Sequence, residues 1–221
     1  MRRKILFSVL AVCMLVSLNQ AAQAAIVFQD LGTVAPPATL GNYAVAPFDQ
    51  VPQTAIPDAT DVTTIPGSPI PGDLTVSPAL NKRTIGSGWA TWSHGYTGAV
   101  YVIGTGGTAT MTLPAGAGAF YFYAEPNSFA LMTINATAND GTTSGDITVN
   151  GSSGANGFAF YATGTTSTIT SITVTSSDAS FAIGEFGIAV QGAPGAGNSF
   201  VFPAFPAICG VPGASSICVV E

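Results

Sequence analysis

The sequence reads as an all-β protein, a β-sandwich or jelly roll, with an irregular Pro-rich N-terminal part and a disulfide-closed C-terminal tail. Three features point there. Between residues 99 and 190 short runs of β-type residues recur at spacings of roughly 8–12, glycine, asparagine and aspartate punctuate them, and no stretch carries a helical 3.6-residue period.

The chain opens with the basic Met1-Arg2-Arg3-Lys4, an apolar run from Ile5 to Leu18 and a small-residue stretch ending Ala22-Gln23-Ala24. That order is a secretory signal peptide, and the apolar run is shorter than the roughly 20 residues a bilayer span needs. Cleavage is expected after Ala24, which removes Cys13 with the signal and leaves 197 of the 221 residues. One β-domain over residues 25–191 fits that length.

From Ala25 to about Leu80 prolines are too dense for helices to pass, so only short edge or wrapping strands are expected, at Ala25 to Phe28, Tyr43 to Val45 and Leu74 to Val76. Strands then follow at Ala99 to Ile103, Thr108 to Leu113 and Ala119 to Ala124. Phe129 to Ala138 puts Ala130, Met132, Ile134, Ala136 and Ala138 on one face before an Asn139-Asp140-Gly141 turn, a hairpin signal whose partner is Gly145 to Asn150. Phe158, Phe160 and Ala162 share a face, as do Ile172 and Val174. In the run from Phe181 to Val190 the parity breaks: Phe181 and Ile183 fall on one face, Phe186, Ile188 and Val190 on the other. A bulge at Gly184-Glu185 turns all five inward, because one extra residue restores the register.

Residues 192–221 form a Gly/Pro linker and an apolar tail containing Phe200, Phe202 and Phe205. Cys209 and Cys218 are the only cysteines after the signal and are expected to bond to each other in an oxidising compartment.

After cleavage only Lys82 and Arg83 face eleven carboxylates, a formal charge of −9. Nucleic acid is excluded as a partner, since affinity for phosphate backbones comes from clustered cations. Anionic membrane surfaces are disfavoured for the same reason, and stable membrane insertion is not expected. There is no G-x-S-x-G, Cys/His pair, H-E-x-x-H or phosphate loop.

The candidate recognition segment is Trp89 to Tyr96, with Trp89, Trp92 and Tyr96 as flat apolar faces for sugar rings and His94, Glu125 and Asn127 as hydroxyl partners. Opposite strand parity separates Trp89 from Trp92 if this segment is extended, and core packing is the competing reading of both rings. Glu125 and Glu185 form a conceivable hydrolytic pair if held at catalytic separation; the plain alternative has Glu125 capping a turn before Pro126 and Glu185 marking the bulge. Loop carboxylates offer a structural Ca²⁺ site at Asp140, Asp178 and Glu185, with Asp30 and Asp146 in reserve; no other cofactor is expected.

The combination Trp89-Ala-Thr-Trp92-Ser-His94-Gly-Tyr96, Phe120-Tyr-Phe-Tyr-Ala-Glu125-Pro-Asn127 and Ile169 to Ser176 followed by Phe181-Ala-Ile-Gly-Glu185-Phe resembles exported bacterial β-sandwich proteins that often carry a PEP-CTERM sorting tail. The resemblance covers about residues 86–189. In that group the last strand usually ends Phe-x-Ile-Asp; here Gly184 takes the Asp place, and the chain ends Cys218-Val-Val-Glu221 without the sorting motif. The resemblance implies a galactose-binding-like jelly roll and a role at the cell surface or in exopolymer, without implying an activity. A secreted, non-catalytic surface or matrix protein that binds polysaccharide is therefore the leading expectation. A purely structural coat component is the alternative, and a polysaccharide hydrolase the third.

Overall fold

A computed structural model describes residues 26–192 apart from 153, 165 and 166. The signal segment, the Gly/Pro linker, the tail and the Cys209–Cys218 pairing lie outside the described residues.

The described chain is all-β. Its strands are β1 (Ile26–Gly32), β2 (Thr39–Leu40), β3 (Tyr43–Ala44), β4 (Ala46–Pro47), β5 (Asp61–Ile65), β6 (Leu74–Ile85), β7 (Gly88–Trp89), β8 (Ala99–Ile103), β9 (Thr108–Thr112), β10 (Ala117–Pro126), β11 (Leu131–Ala138), β12 (Ile147–Asn150), β13 (Asn156–Ala162), β14 (Ser171–Ser176) and β15 (Phe181–Val190). One large sheet runs β1-β13-β10-β15-β8-β6-β9-β14-β11-β12, antiparallel except where the short β7 joins β6. β6 pairs with β9 through Thr75–Ser77 and with β8 through Asn81–Arg83, so this one strand carries the sheet from one half to the other. The sheet curls until its ends meet: Ile26 N donates to Asp140 Oδ2 at 3.1 Å, and Thr142 Oγ1 donates to the Ile26 carbonyl.

Curling encloses one continuous core. Phe120 and Phe122 of β10, Phe158 and Phe160 of β13 and Phe181 and Phe186 of β15 meet Met111, Ile134, Ile172 and Val174 from the other half. Phe122 stacks on Phe158 with ring centroids 5.3 Å apart. On β11, β13 and β14 the expected faces are buried at Ile134, Ala136, Ala138, Phe158, Phe160, Ala162, Ile172 and Val174, whereas Ala130, which precedes β11, is exposed and Met132 only half-buried. The bulge is where the parity break places it. Tyr123 pairs with Gly184 and Tyr121 with Gly187, so β15 spends one extra residue there, and Glu185 takes a left-handed φ of 54°. Phe181, Ile183, Phe186 and Ile188 consequently point inward; Val190 does not, because β15 ends there and leaves it exposed.

Two expectations for the Pro-rich part are corrected. Leu74 to Val76 is not an edge strand but the start of the twelve-residue β6, and Pro78 is accommodated where the β5 register skips, between the Val62–Leu80 and Thr64–Thr75 pairs, so its missing N–H breaks no ladder bond. A one-turn helix, α1 (Gln50–Thr54), also forms despite Pro52. The first turn of a helix has no internal partners for its N–H groups, so proline costs nothing there, and Asp49 caps it by accepting from Val51 N at 2.9 Å.

β10 is buried on both faces. Its outward residues Ala119, Tyr121 and Tyr123 lie beneath Leu40, Tyr43 and Trp92, so the N-terminal segment and the stretch between β7 and β8 form a second layer over this part of the sheet.

Candidate functional site

That covering stretch and the end of β7 before it carry the aromatics of the Trp89 to Tyr96 segment, and they are fastened to the sheet by two glutamates. Glu125 has the same parity on β10 as Tyr121 and Tyr123, and so points outward under the stretch. It is 0 % exposed; Trp89 Nε1 donates to its Oε2 at 2.6 Å and Thr91 Oγ1 to its Oε1 at 2.9 Å. Desolvation pushes its carboxyl up to about 7, against the hydrogen bonds from Trp89, Thr91 and the Gly154 backbone, which favour the ionised form. Glu125 therefore does not cap a turn before Pro126: it lies inside β10 and anchors the neighbouring segment.

Glu185 repeats the arrangement at the bulge. Trp92 Nε1 donates to its Oε2 at 3.0 Å, and His94 Nε2 lies 2.7 Å from its Oε1. Burial raises this carboxyl as well, opposed by hydrogen bonds from His94 and Trp92. His94 Nδ1 faces the Thr33 carbonyl at 3.2 Å, so an oxygen lies beside each ring nitrogen. The His94 backbone is exposed, but its side chain is only 13 % exposed and its ring meets Tyr123 edge-on at 4.9 Å. Tyr96 donates its hydroxyl to the Ala99 carbonyl at 2.9 Å and lies 6.0 Å from the Trp92 ring.

The parity argument that separates Trp89 from Trp92 fails because the strand stops at Trp89. Residues 90–98 are a loop, and its turns bring Trp89, Trp92 and Tyr96 into one cluster with Val100 and Ala182. These three rings do not form a shared open platform: Trp89 is 8 % exposed, while Trp92 and Tyr96 are half-buried and tied to Glu185 and Ala99.

An open groove of about 550 Å³ runs beside Trp89. It is lined by Gly86, Gly88, Trp89, Ala90, Thr91, Pro126, Asn127, Phe129 and Gly151. Asn127 is exposed, and Phe129 is 68 % exposed. Of the candidate residues, Trp89 and Asn127 line this groove and Glu125 bonds the lining residues Trp89 and Thr91, whereas Trp92, His94 and Tyr96 are not part of it. Phe129 was not singled out by sequence, because in an alternating run it reads as the first residue of a strand; β11 in fact starts at Leu131.

The carboxylates considered for Ca²⁺ do not converge. Asp140 accepts from Ile26 N and Thr142 N, Asp178 accepts from Ser128 N and Ser180 N, and Glu185 faces Trp92 and His94. Each aspartate satisfies turn N–H groups instead, and no group of three metal-ligating side chains occurs among the described residues. Asp30 is likewise engaged locally, by Gly32 N and Asn156 Nδ2, and Asp146 by Asn135 Nδ2.

No helix among the described residues is long and apolar enough to cross a membrane. No protein family model and no curated protein matches the chain. Among solved structures, one described as "Peptidoglycan O-acetylesterase in action, 5 min" is similar over 59 % of this chain and 34 % of its own, at 16 % identity and a TM-score of 0.32.

Proposed function

We propose that this is an exported, non-catalytic surface or extracellular-matrix protein that holds carbohydrate in the groove beside Trp89, on a jelly-roll-like scaffold of the galactose-binding-like type. The observation that carries the reading is the groove itself. Trp89 and the exposed Phe129 line it together with the exposed Asn127 and with Gly86, Gly88 and Gly151. Apolar ring faces suit the C–H faces of sugars, amide and hydroxyl groups suit their hydroxyls, and glycines let a chain-like ligand approach the backbone. The signal-like N-terminus and the PEP-CTERM-type resemblance support export and a role in exopolymer.

Glu125 supports binding over hydrolysis. A carboxyl that is 0 % exposed and already holds Trp89 and Thr91 has no oxygen facing the groove for a leaving group. The rival reading, a structural coat component, draws on the same two clamps, since Trp89–Glu125 and Trp92–Glu185 serve to hold a loop rather than a ligand. A broad glycan array probed with the mature protein separates them. Retention of a defined set of oligosaccharides, lost in Phe129→Ala, supports the groove; no retention anywhere on the array leaves the coat reading.

A further inference from the structure

From the charges around the groove, and resting on the binding role just proposed, we infer that its ligand is an acidic oligosaccharide whose uronate carboxylate is read by Arg83. Lys82 and Arg83 are adjacent on β6 but face opposite ways. Lys82 is buried with its ammonium 2.7 Å from Asp58 Oδ1 and 2.9 Å from Thr84 Oγ1. The Arg83 guanidinium forms no ion pair or hydrogen bond with any described residue. Its side chain runs alongside Gly88, a groove residue, where a Cβ added to Gly88 would sit 2.9 Å from Arg83 Cδ and 3.5 Å from Nη1.

An unpartnered guanidinium is notable in a chain with so many carboxylates. Most of those carboxylates are already engaged, by Lys82, by His94, by indole or hydroxyl donors, or by turn N–H groups. Arg83 is thus the one Lys or Arg among the described residues left for an external anion, and its side chain lies against Gly88, which lines the groove. The planar fork of a guanidinium matches the two oxygens of a carboxylate. Gly88 keeps that approach clear; its φ of 97° favours glycine, and a Cβ there would press against the Arg83 side chain. The overall negative charge of the chain repels acidic polymers at long range, but that field is screened beyond about 8 Å at physiological salt, whereas the Arg83 contact acts at hydrogen-bond distance.

Oligomers of galacturonate, mannuronate and glucuronate, each beside its carboxyl-reduced neutral counterpart, provide the test, with the mature protein and its Arg83→Gln and Phe129→Ala variants titrated against every pair. At least one uronate oligomer is expected to bind about tenfold or more tightly than its reduced partner. Arg83→Gln should abolish that difference with the melting temperature nearly unchanged, and Phe129→Ala should weaken both members of the pair. Equal affinity for the charged and reduced forms, or a preference untouched by Arg83→Gln, overturns the assignment to Arg83 while the groove reading stands. Failure to bind any oligomer, charged or reduced, on these and a broad array overturns both.

Discussion

Trp89 Nε1 and Glu125 Oε2 lie 2.6 Å apart in a setting from which water is excluded, and the same pairing of indole and glutamate recurs at Trp92 and Glu185, 3.0 Å apart. Both tryptophans of the protein thereby pin a loop to the outer face of the central strands. Loops expose backbone polar groups and order poorly by themselves; buried charge-assisted hydrogen bonds offset that entropy.

The Glu125 clamp makes stability depend on pH. Its folded-state carboxyl titrates near 7 against an ordinary 4.5, so the folded protein binds more protons than the unfolded chain between those values. The resulting stabilisation is fully present below pH 4.5 and is lost as pH rises through about 7. At 1.36 kcal/mol per unit its upper limit is about 3 kcal/mol. Urea denaturation at pH 5 and pH 8 should show the wild type weaker at pH 8 by an amount that Glu125→Gln reduces, the raised Glu185 carboxyl contributing in the same direction; an unchanged difference between the two pH values in that variant contradicts the buried carboxyl.

Trp92→Phe keeps most of the ring but removes the N–H that meets Glu185. A hydrogen bond to a charged group contributes about 1.5–3 kcal/mol, and partial exposure puts this one at the lower end. Thermal melting should fall by several degrees while glycan affinity is unchanged, because Trp92 lies outside the groove. Loss of affinity without loss of stability would return Trp92 to the role of a binding platform.

Gly151→Ala attacks the groove from behind. Its Cβ would fall 2.1 Å from the Ser128 carbonyl oxygen and 2.9 Å from that of Pro126, both backbone atoms that cannot rotate away. The turn carrying Asn127 and Phe129 must shift, at a cost on the order of 2–4 kcal/mol, so stability and ligand affinity are expected to fall together. Chemical denaturation alongside a binding titration checks this.

At the Lys82–Asp58 pair, removing the carboxylate should cost more than removing the lysine. Asp58→Ala strands a buried ammonium with only Thr84 for company, whereas Lys82→Met places an apolar side chain of similar length beside Tyr101 on the core side. Because the Asp58 side chain is 31 % exposed, the cost is discounted from the figure for a fully buried pair to about 1–3 kcal/mol. The reverse order of melting temperatures would show that Lys82 is solvated.

Period-two patterning made much of the sheet legible in advance. The inward faces of β11, β13 and β14 follow from alternation alone, and the bulge at Glu185 from a parity break that only an extra residue repairs. β6 runs far past the expected Leu74 to Val76 because Pro78 and Lys82 are accommodated by a skipped register and by Asp58, 24 residues earlier in the chain than Lys82. The candidate site was half legible. Its residue types were conspicuous, but whether an indole stacks on a sugar or donates to a glutamate 36 positions away is decided by chain packing. The same limit hid Phe129, whose exposure follows from the turn before β11 and not from its neighbours.

Phe129 also offers the most direct measurement. It is the large exposed apolar side chain on the groove wall, with no part in the core. Titration of an array-selected oligosaccharide into the wild type and Phe129→Ala, with melting curves on both, tests whether the groove is the binding site. Stacking on an exposed ring predicts a Kd raised by about tenfold or more at a melting temperature within about 2 °C of wild type. An unchanged Kd would place the ligand elsewhere on the molecule and contradict the account.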